Sequence, residues 1–195
     1  MYQQQLDGIY NQCKNCNLCE YLCKTRHNVV VGDGVPNDKI MLIGEAPGEE
    51  EDLQGLPFVG RSGKLLDLIL ASVGFSRKEN IYICNVIKCR PPQNRNPLPQ
   101  EQDNCKKFLD KQLEILKPKI ILLCGAVATN AILKDNKLGI TKIRGKWFNG
   151  IYNSKMMPIF HPSYLLRNPS KEVGSPKWLM YQDMKEIRRE YDKLI

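Results

Sequence analysis

Residues 39–52 of the chain read Lys39-Ile40-Met41-Leu42-Ile43-Gly44-Glu45-Ala46-Pro47-Gly48-Glu49-Glu50-Glu51-Asp52. The four consecutive apolar residues from Ile40 to Ile43 are typical of a strand that is buried on both faces. Gly44 ends this run, and the loop that follows is rich in glycine and acidic residues before a helical pattern begins near residue 63. The segment therefore predicts the strand end of a βα unit. Because ligands bind at the carboxyl ends of strands in open α/β sheets, the loop is either a wall of an active site or an acidic surface turn.

Length and composition limit the class of protein. A chain of 195 residues with 42% hydrophobic and 26% charged residues suits one globular domain, which we expect to span 1–195. No apolar run reaches the roughly 18 residues of a membrane span, and the first residues lack the features of a signal peptide. We therefore expect a cytoplasmic protein with no membrane partner. The net charge of +8 favours an anionic partner, and nucleic acid first.

Eight cysteines are many for a chain in a reducing compartment, where they indicate metal binding or reactivity rather than disulfides. Half of them lie in the segment Cys13-Lys14-Asn15-Cys16-Asn17-Leu18-Cys19-Glu20-Tyr21-Leu22-Cys23. This spacing matches that of a bacterial ferredoxin, although Lys24 stands where ferredoxins have proline. One such run excludes a two-cluster ferredoxin. The pattern predicts an N-terminal segment that binds a metal centre.

Strand-like and helix-like segments alternate along the rest of the chain. Such alternation favours a parallel sheet with helices on both faces. The predicted strands cover 40–43, 81–84, 119–124 and 156–160, and the predicted helices cover 61–73, 99–116, 126–134 and 176–193, after a short helix that starts near residue 3.

Three of these strands deliver polar residues at their carboxyl ends. Glu45, Asn85 and His161 each follow a predicted strand, and His161 is held between a strand and a proline. By the crevice rule we expect their side chains to converge at one edge of the sheet. That convergence predicts an active site.

With these residues in view, the sequence resembles the family 4 uracil-DNA glycosylases, the iron–sulfur branch of the uracil-DNA glycosylase superfamily. The resemblance covers about residues 13 to 183. It implies an α/β/α sandwich around a four-stranded parallel sheet, and an enzyme that hydrolyses the N-glycosidic bond of uracil in DNA. The motifs that carry it are Gly44-Glu45-Ala46-Pro47-Gly48 with Glu51-Asp52, Pro57-Phe58-Val59-Gly60, Asn85-Val86-Ile87-Lys88-Cys89-Arg90-Pro91-Pro92, Lys142-Ile143-Arg144-Gly145-Lys146 and His161-Pro162-Ser163-Tyr164-Leu165-Leu166-Arg167.

The resemblance implies a role for each matching residue of the base pocket. The uracil is flipped out of the duplex, because its glycosidic bond cannot be reached inside the base stack. Phe58 would stack on the base, and Asn85 would read its O4 and N3–H edge. His161 would donate to O2 as negative charge collects on the leaving base, as donors do in an oxyanion hole. Backbone groups of the loop that contains Gly44 and Ala46 would assist.

The group that positions the attacking water is left open. Family 1 enzymes have an aspartate in the corresponding loop, where this chain has Ala46. Glu45 and Glu51 are the candidates, and Glu51 is also a candidate for excluding the 5-methyl group of thymine. No lysine is placed at a strand end to act as a Schiff-base nucleophile, so we expect a monofunctional enzyme with no lyase step.

The resemblance also implies that Cys13, Cys16, Cys89 and Cys105 hold one [4Fe–4S] cluster. Two alternatives remain open from spacing alone. One is the local set Cys13, Cys16, Cys19 and Cys23, and the other is a zinc ion with four cysteine ligands.

We expect a basic surface to bind uracil-containing DNA, single- or double-stranded, with the protein as a monomer. Leu165 and Leu166 could wedge into a base step. The predicted cations of this surface are Lys88, Arg90, Arg95, Arg144, Lys146 and Arg167. Two rival functions are an iron–sulfur electron carrier and an inactive member of the fold that only binds DNA or a protein.

Overall fold

The computed structural model of the chain describes residues 2–134 and 139–195, and its centre is one mixed β-sheet. The strands of this sheet are β1 (Asp33–Gly34), β2 (Ile40–Gly44), β3 (Tyr82–Asn85), β4 (Ile120–Cys124), β5 (Phe148–Asn149) and β6 (Lys155–Ile159). The helices are α1 (Tyr2–Lys14), α2 (Glu20–Thr25), α3 (Glu49–Gln54), α4 (Arg61–Ala71), α5 (Pro99–Leu116), α6 (Ala126–Leu133), α7 (Ile140–Ile143), α8 (Pro162–Arg167) and α9 (Pro176–Asp192).

The sheet has six strands in the order β1-β3-β2-β4-β6-β5. The four inner strands run parallel, whereas β1 and β5 pair antiparallel at the two edges. The predicted α/β class is confirmed, but the prediction of a four-stranded, purely parallel sheet is wrong. The sequence of 29–36 predicts a short strand and turn, of which only Asp33–Gly34 pairs in the sheet as β1. β5 has only two residues and lacks an apolar pattern that would predict a strand.

Two apolar cores lie on opposite faces of the sheet, because neighbouring residues of a strand point to opposite sides. Ile40 and Leu42 of β2 belong to one core, and Met41 and Ile43 belong to the other. The apolar faces of α1 and α5 fill the second core, and those of α4 and α9 fill the first. Helices therefore cover both faces. None of the helices in the described part of the chain is both long and apolar enough to cross a membrane.

The acidic part of residues 39–52 folds as α3, although its glycine-rich and acidic sequence predicts a loop. The helix begins after Gly48, and the Glu51 carboxylate accepts a hydrogen bond from the Gly48 N–H at 3.1 Å. Four acidic side chains occupy the first turn, where the exposed N–H groups favour negative charge. The helix thus holds Glu51 and Asp52 in fixed positions beside the end of β2.

Strand register brings the predicted site residues to the same edge. Gly44 at the end of β2 lies opposite Asn85 at the end of β3. The Gly125 N–H after β4 bonds the Ile159 carbonyl of β6 at 2.9 Å, two residues before His161. The carboxyl ends of the four parallel strands therefore meet in one place.

Candidate active site and cysteine cavity

A cleft of about 670 Å³ opens at the carboxyl ends of the parallel strands. Glu45, Asn85 and His161, from three different strand ends, all line it, and so do Phe58 and Ala46. A concave site with a few convergent polar groups is the usual form of an active site. The structure thus brings together the predicted base-pocket residues.

Asn85 is 1% exposed, and its Oδ1 atom has no hydrogen-bond partner among the described residues. A buried polar atom without a partner costs on the order of 1–3 kcal/mol, so it normally marks a place where a ligand or water binds. Gly44 lies against this group, since a Cβ atom there would stand 2.4 Å from Asn85 Oδ1 and 2.5 Å from Phe58 Cζ. Any larger residue at 44 would displace both side chains.

Phe58 has a left-handed backbone, with φ of 54°, which costs energy in a non-glycine residue. Neighbouring groups hold it there. The Glu51 Oε1 atom accepts from the N–H groups of Val59 and Gly60, both at 2.8 Å, and Arg77 donates to the Phe58 carbonyl at 2.9 Å. The Phe58 ring lies 5.7 Å from the His161 ring, centroid to centroid. The two rings therefore form adjacent walls of the cleft.

The two acidic candidates for positioning water have different surroundings. Both carboxylate oxygens of Glu51 accept backbone hydrogen bonds, from Gly48, Val59 and Gly60. Glu45 makes no side-chain hydrogen bond to the described residues, and burial raises the pKa of its carboxyl group. Glu51 is thus engaged in shaping the loop, whereas Glu45 is free to contact water in the cleft.

His161 is held in one tautomer. Its Nδ1 atom accepts a hydrogen bond from the Ser163 N–H at 3.2 Å and lies 2.8 Å from the Ser163 hydroxyl. Burial, and then the positive charge of Arg167, lowers the pKa of His161 to about 4, against an opposing effect of Glu51. The ring is therefore neutral near pH 7, with its proton on Nε2. Nε2–H is the one ring donor available to a ligand.

Two of the predicted DNA-contacting cations are engaged by other groups of the protein, contrary to the prediction that they face DNA. Lys88 is fully buried, and its Nζ donates to the Asn85 carbonyl at 2.6 Å and to Gln112 Oε1 at 2.7 Å. Arg144 is paired with Asp183, and its side chain is only 14% exposed. A buried ammonium and a paired, covered guanidinium cannot reach a phosphate without breaking these contacts.

Of the other four predicted cations, two form ion pairs with acidic side chains and two are exposed. Arg90 is paired with Glu49 at 3.5 Å, and Arg95 makes a two-pronged contact with Glu101 at 2.9 and 2.6 Å. Lys146 and Arg167 are exposed, and Arg167 lines the cleft.

The two predicted wedge residues are also in different places. Leu165 is 1% exposed and packs in the core beneath α8, so it cannot enter DNA in this conformation. Leu166 is 37% exposed and remains available. The two are neighbours on a short helix, and the sequence does not tell which of them faces inward.

A second cavity is lined by six cysteines. They include the four ligands implied by the resemblance and also Cys19 and Cys23. Burial raises the pKa of Cys13 to about 12, and among its neighbours Cys105, Cys89 and Cys16 raise it further while Lys88 lowers it. The structure thus brings Cys13, Cys16, Cys89 and Cys105 together from distant parts of the chain. Cys84 and Cys124 lie apart, in the cores of the sheet.

Polar groups surround these sulfur atoms. The Lys88 N–H donates to Cys105 Sγ at 3.2 Å, and Arg26 Nη1 donates to Cys89 Sγ at 3.1 Å. Donors of this kind stabilise thiolates bound to metal. Within residues 2–134 and 139–195, no three Cys, His, Asp or Glu side chains are already spaced for a single metal ion.

Two positions that shape the cleft were not predicted from the sequence, Gly125 and Arg77. Gly125 has φ of 91°, and a Cβ atom there would stand 2.9 Å from His161 Cβ. Arg77 fixes the backbone of Phe58 from a loop after α4, and it also bonds Asp33 and Asp67. A glycine directly after a buried strand could have indicated the first position, whereas nothing in the sequence indicates the partners of Arg77.

The known proteins compared with this chain below all carry uracil-DNA glycosylase names. The profile of the Uracil DNA glycosylase superfamily matches residues 31–185. A Type-4 uracil-DNA glycosylase from Thermotoga maritima is 46% identical over 88% of this chain and 88% of its own length. From Pyrobaculum aerophilum, a Type-4 enzyme is 37% identical over 85% of this chain and 86% of its own length, and a Type-5 uracil-DNA glycosylase is 29% identical over 85% of both chains.

Proposed function

The chain belongs to the uracil DNA glycosylase superfamily, and on that premise we propose that it removes uracil from DNA by hydrolysing the N-glycosidic bond, a step of DNA repair that leaves an abasic site. Relatives that match most of the chain carry the Type-4 name, with identities of 37% to 46%. The structural observation that carries the proposal is the buried Oδ1 atom of Asn85, which lines the cleft and has no hydrogen-bond partner among the described residues.

Base recognition follows from the chemistry of that carboxamide. Its Oδ1 atom would accept from uracil N3–H, and its amide would donate to O4. Cytosine presents the reverse pattern and would leave two buried groups unpaired, at a cost of about 1–3 kcal/mol each. Phe58 supplies the stacking surface, held in its strained backbone by Glu51 and Arg77.

Departure of the base is assisted by His161. As the glycosidic bond breaks, negative charge gathers on uracil O2, and the Nε2–H group donates to it. A neutral donor suits this role, because Ser163 fixes the tautomer before the reaction begins and no rearrangement is needed. The sugar passes through an oxocarbenium-like state, which water then attacks at C1′.

For the attacking water we propose Glu45 as the positioning group. Its carboxylate lines the cleft without a hydrogen bond to the described residues, whereas Glu51 is occupied by three backbone donors. The reaction ends at the abasic site. No lysine is found among the described residues that line the cleft, and Lys88 is turned away into the core, which supports a monofunctional enzyme.

We propose that Cys13, Cys16, Cys89 and Cys105 hold a [4Fe–4S] cluster. The donor set fits: four sulfurs line one cavity, and backbone and guanidinium donors already point at two of them. When bound, the cluster supplies iron–thiolate bonds that hold the N-terminal segment to the loop after β3 and to α5, and such bonds contribute to folding. It takes no part in the chemical steps.

The test is release of uracil from labelled single- and double-stranded oligonucleotides by the purified, cluster-loaded protein, with no added metal ion. We expect excision from both substrates, and strand breakage only after alkali treatment. We also propose that the protein is a cytoplasmic monomer of one domain. Failure to release uracil would reject the activity. Strand breakage without alkali would reject the monofunctional mechanism.

A further inference from the structure

The segment that follows α2 contacts the cysteine cavity with one residue and the active-site helix α3 with the next two. Arg26 donates from Nη1 to Cys89 Sγ at 3.1 Å, and from Nη2 to the carbonyls of Lys14 and Cys16 at 3.1 and 3.0 Å. One guanidinium thus bridges the two chain segments that supply the cysteines. Its fork of donors can make these contacts at once, which the ammonium of a lysine cannot.

The next two residues bind Asp52 near the end of α3. The His27 N–H lies 3.0 and 3.1 Å from the two Asp52 carboxylate oxygens, and His27 Nδ1 lies 2.6 Å from Oδ2. The Asn28 N–H adds a contact at 3.3 Å to Asp52 Oδ1, and Asn28 Nδ2 donates to the Asp52 carbonyl at 2.8 Å. The Asp52 side chain is fully buried and depends on these donors, because a buried carboxylate without partners is strongly destabilising.

Helix α3 then carries the connection to the base pocket. Glu51 precedes Asp52 in the helix and bonds the N–H groups of Val59 and Gly60, directly after the strained Phe58. A shift of α3 would therefore release the backbone that holds the Phe58 ring in the cleft. Since short helices are stabilised mainly by tertiary contacts, this six-residue helix relies on its attachment at Asp52.

We infer that residues 26–28 form a strap that couples the cysteine cavity to the Phe58 loop, and that Asp52 is a positioning residue for the stacking of uracil. The inference rests on the proposed function, because it assigns Phe58 to the base. A displacement of Cys89 would reach Arg26 through their hydrogen bond, and the strap would pass it to Asp52 and α3. The coupling runs through a contiguous set of hydrogen bonds.

The experiment uses Asp52→Asn and Asn28→Ala in the cluster-loaded protein, with Asp110→Asn and Asn149→Ala as matched controls. Asp110 is an exposed residue of α5 that pairs with Lys106, and Asn149 is exposed on β5. Two quantities are measured: inhibition by free uracil, which reports the base pocket without DNA, and hydrogen exchange of peptides covering 56–62. Iron content is the check that the cavity is intact.

We expect Asp52→Asn and Asn28→Ala to retain iron, to show inhibition by uracil that is weaker on the order of 10-fold, and to exchange faster at 56–62 while exchange of α9 is unchanged. Unchanged uracil inhibition and unchanged exchange in folded, iron-loaded variants would overturn the strap. If Asp52→Asn does not fold, the test rests on Asn28→Ala, which changes an exposed residue. If wild-type protein neither releases nor binds uracil, the proposed function fails, and the exchange measurement still tests the connection.

A second measurement addresses the origin of the coupling. Arg26→Lys should also speed exchange at 56–62, and the double variant Arg26→Lys/Asp52→Asn should show no more effect than the stronger single variant, because both act on one strap. Fully additive effects of the two substitutions on uracil inhibition would mean that they act independently, which contradicts the inference.

Discussion

Ser163 determines which nitrogen of His161 carries the proton, and this leads to the first prediction. His161→Ala should lower the rate of uracil release on the order of 10²–10³-fold, the loss expected for one transition-state donor. Ser163→Ala should cause a smaller loss, since the backbone N–H still bonds Nδ1. Single-turnover kinetics measure both, and DNA affinity should stay near that of the wild type, because phosphate contacts dominate it. Nearly normal activity of His161→Ala would contradict the leaving-group role.

The pKa of Glu45 yields a second prediction at this scale. Burial raises its folded-state pKa above the ordinary value of 4.5, so the activity should fall as the pH drops through that raised pKa and the carboxylate gains a proton. Glu45→Gln should lower the rate and remove this acidic limb from the pH profile. If Glu45→Gln shows the same loss of activity at low pH as the wild type, another group is responsible for that loss.

The same shift has a consequence for stability. A carboxyl group whose pKa is higher in the folded state stabilises the fold at low pH, and this contribution is lost as the pH rises through the folded pKa. Glu45→Gln should therefore raise the melting temperature relative to the wild type at pH 7 and lose this advantage at pH 4. Thermal unfolding at both pH values is the measurement, and a variant less stable than the wild type at pH 7 would contradict it.

Residue type was sufficient to select the members of the base pocket but not to place every cation. Asn85 and His161 were found because each follows a buried strand, and strand ends meet in a parallel sheet. Lys88 and Arg144 were assigned to DNA because they are cations in polar segments. Their actual partners, Gln112 and Asp183, lie 24 and 39 positions away, and no local pattern reveals such a contact.

At the scale of elements, the cysteine cavity gives a prediction that separates the two ligand sets. Cys89→Ala/Cys105→Ala should lose the cluster, whereas Cys19→Ala/Cys23→Ala should keep it, because a cluster held by Cys13, Cys16, Cys89 and Cys105 does not need the second pair. Iron content and visible absorbance of the purified variants are compared. The opposite result would mean that Cys13, Cys16, Cys19 and Cys23 hold the cluster. Stoichiometric zinc without iron would mean that the site binds zinc and not an iron–sulfur cluster.

Helix α4 presses against the Phe58 turn, and this contact leads to a prediction about Gly63. A Cβ atom at 63 would overlap the Phe58 carbonyl group, which is backbone and cannot turn aside. Gly63→Ala should therefore displace Phe58, reduce uracil release and lower stability, although alanine is the better helix former. Ala71→Gly, at the other end of α4, is the control that changes only helix propensity. If Gly63→Ala were as active as Ala71→Gly, the role of Gly63 would be contradicted.

Elements with a strong apolar pattern were predictable, and those without one were not. The four inner strands were found within one or two residues, and α5 was found over Pro99–Leu116. Helix α3 was predicted as loop because four of its six residues are acidic and glycine and proline precede it, yet Gly48 and Glu51 at its start form a capping arrangement that the sequence contains. The two-residue edge strands exist only because a neighbouring strand supplies their partners.

At the scale of the whole molecule, the excess of positive charge is less concentrated on the cleft than the sequence suggested. The chain has 29 basic and 21 acidic residues. Of the six cations proposed to contact DNA, Lys88 is buried, Arg144 is paired with Asp183, and Arg90 and Arg95 are paired with Glu49 and Glu101. Lys146 and Arg167 remain exposed. The positive field of the whole protein would attract DNA, while few of these groups would form phosphate contacts.

This distribution predicts a moderate salt dependence of DNA binding. Each phosphate that a cation neutralises changes the slope of log affinity against log salt by about −0.9 on double-stranded DNA. Two contacts give a slope of about −2, whereas all six predicted cations would give about −5.

Arg167→Gln should make the slope less negative by about 1. Lys106→Gln, on the outer face of α5 and paired with Asp110, should leave it unchanged. Fluorescence anisotropy in a His161→Ala background measures these slopes while uracil release is slowed. A slope near −5 would mean that the ion pairs of Arg90 and Arg95 open on DNA or that further lysines join the interface, whereas a flat dependence would show that the +8 charge has another purpose.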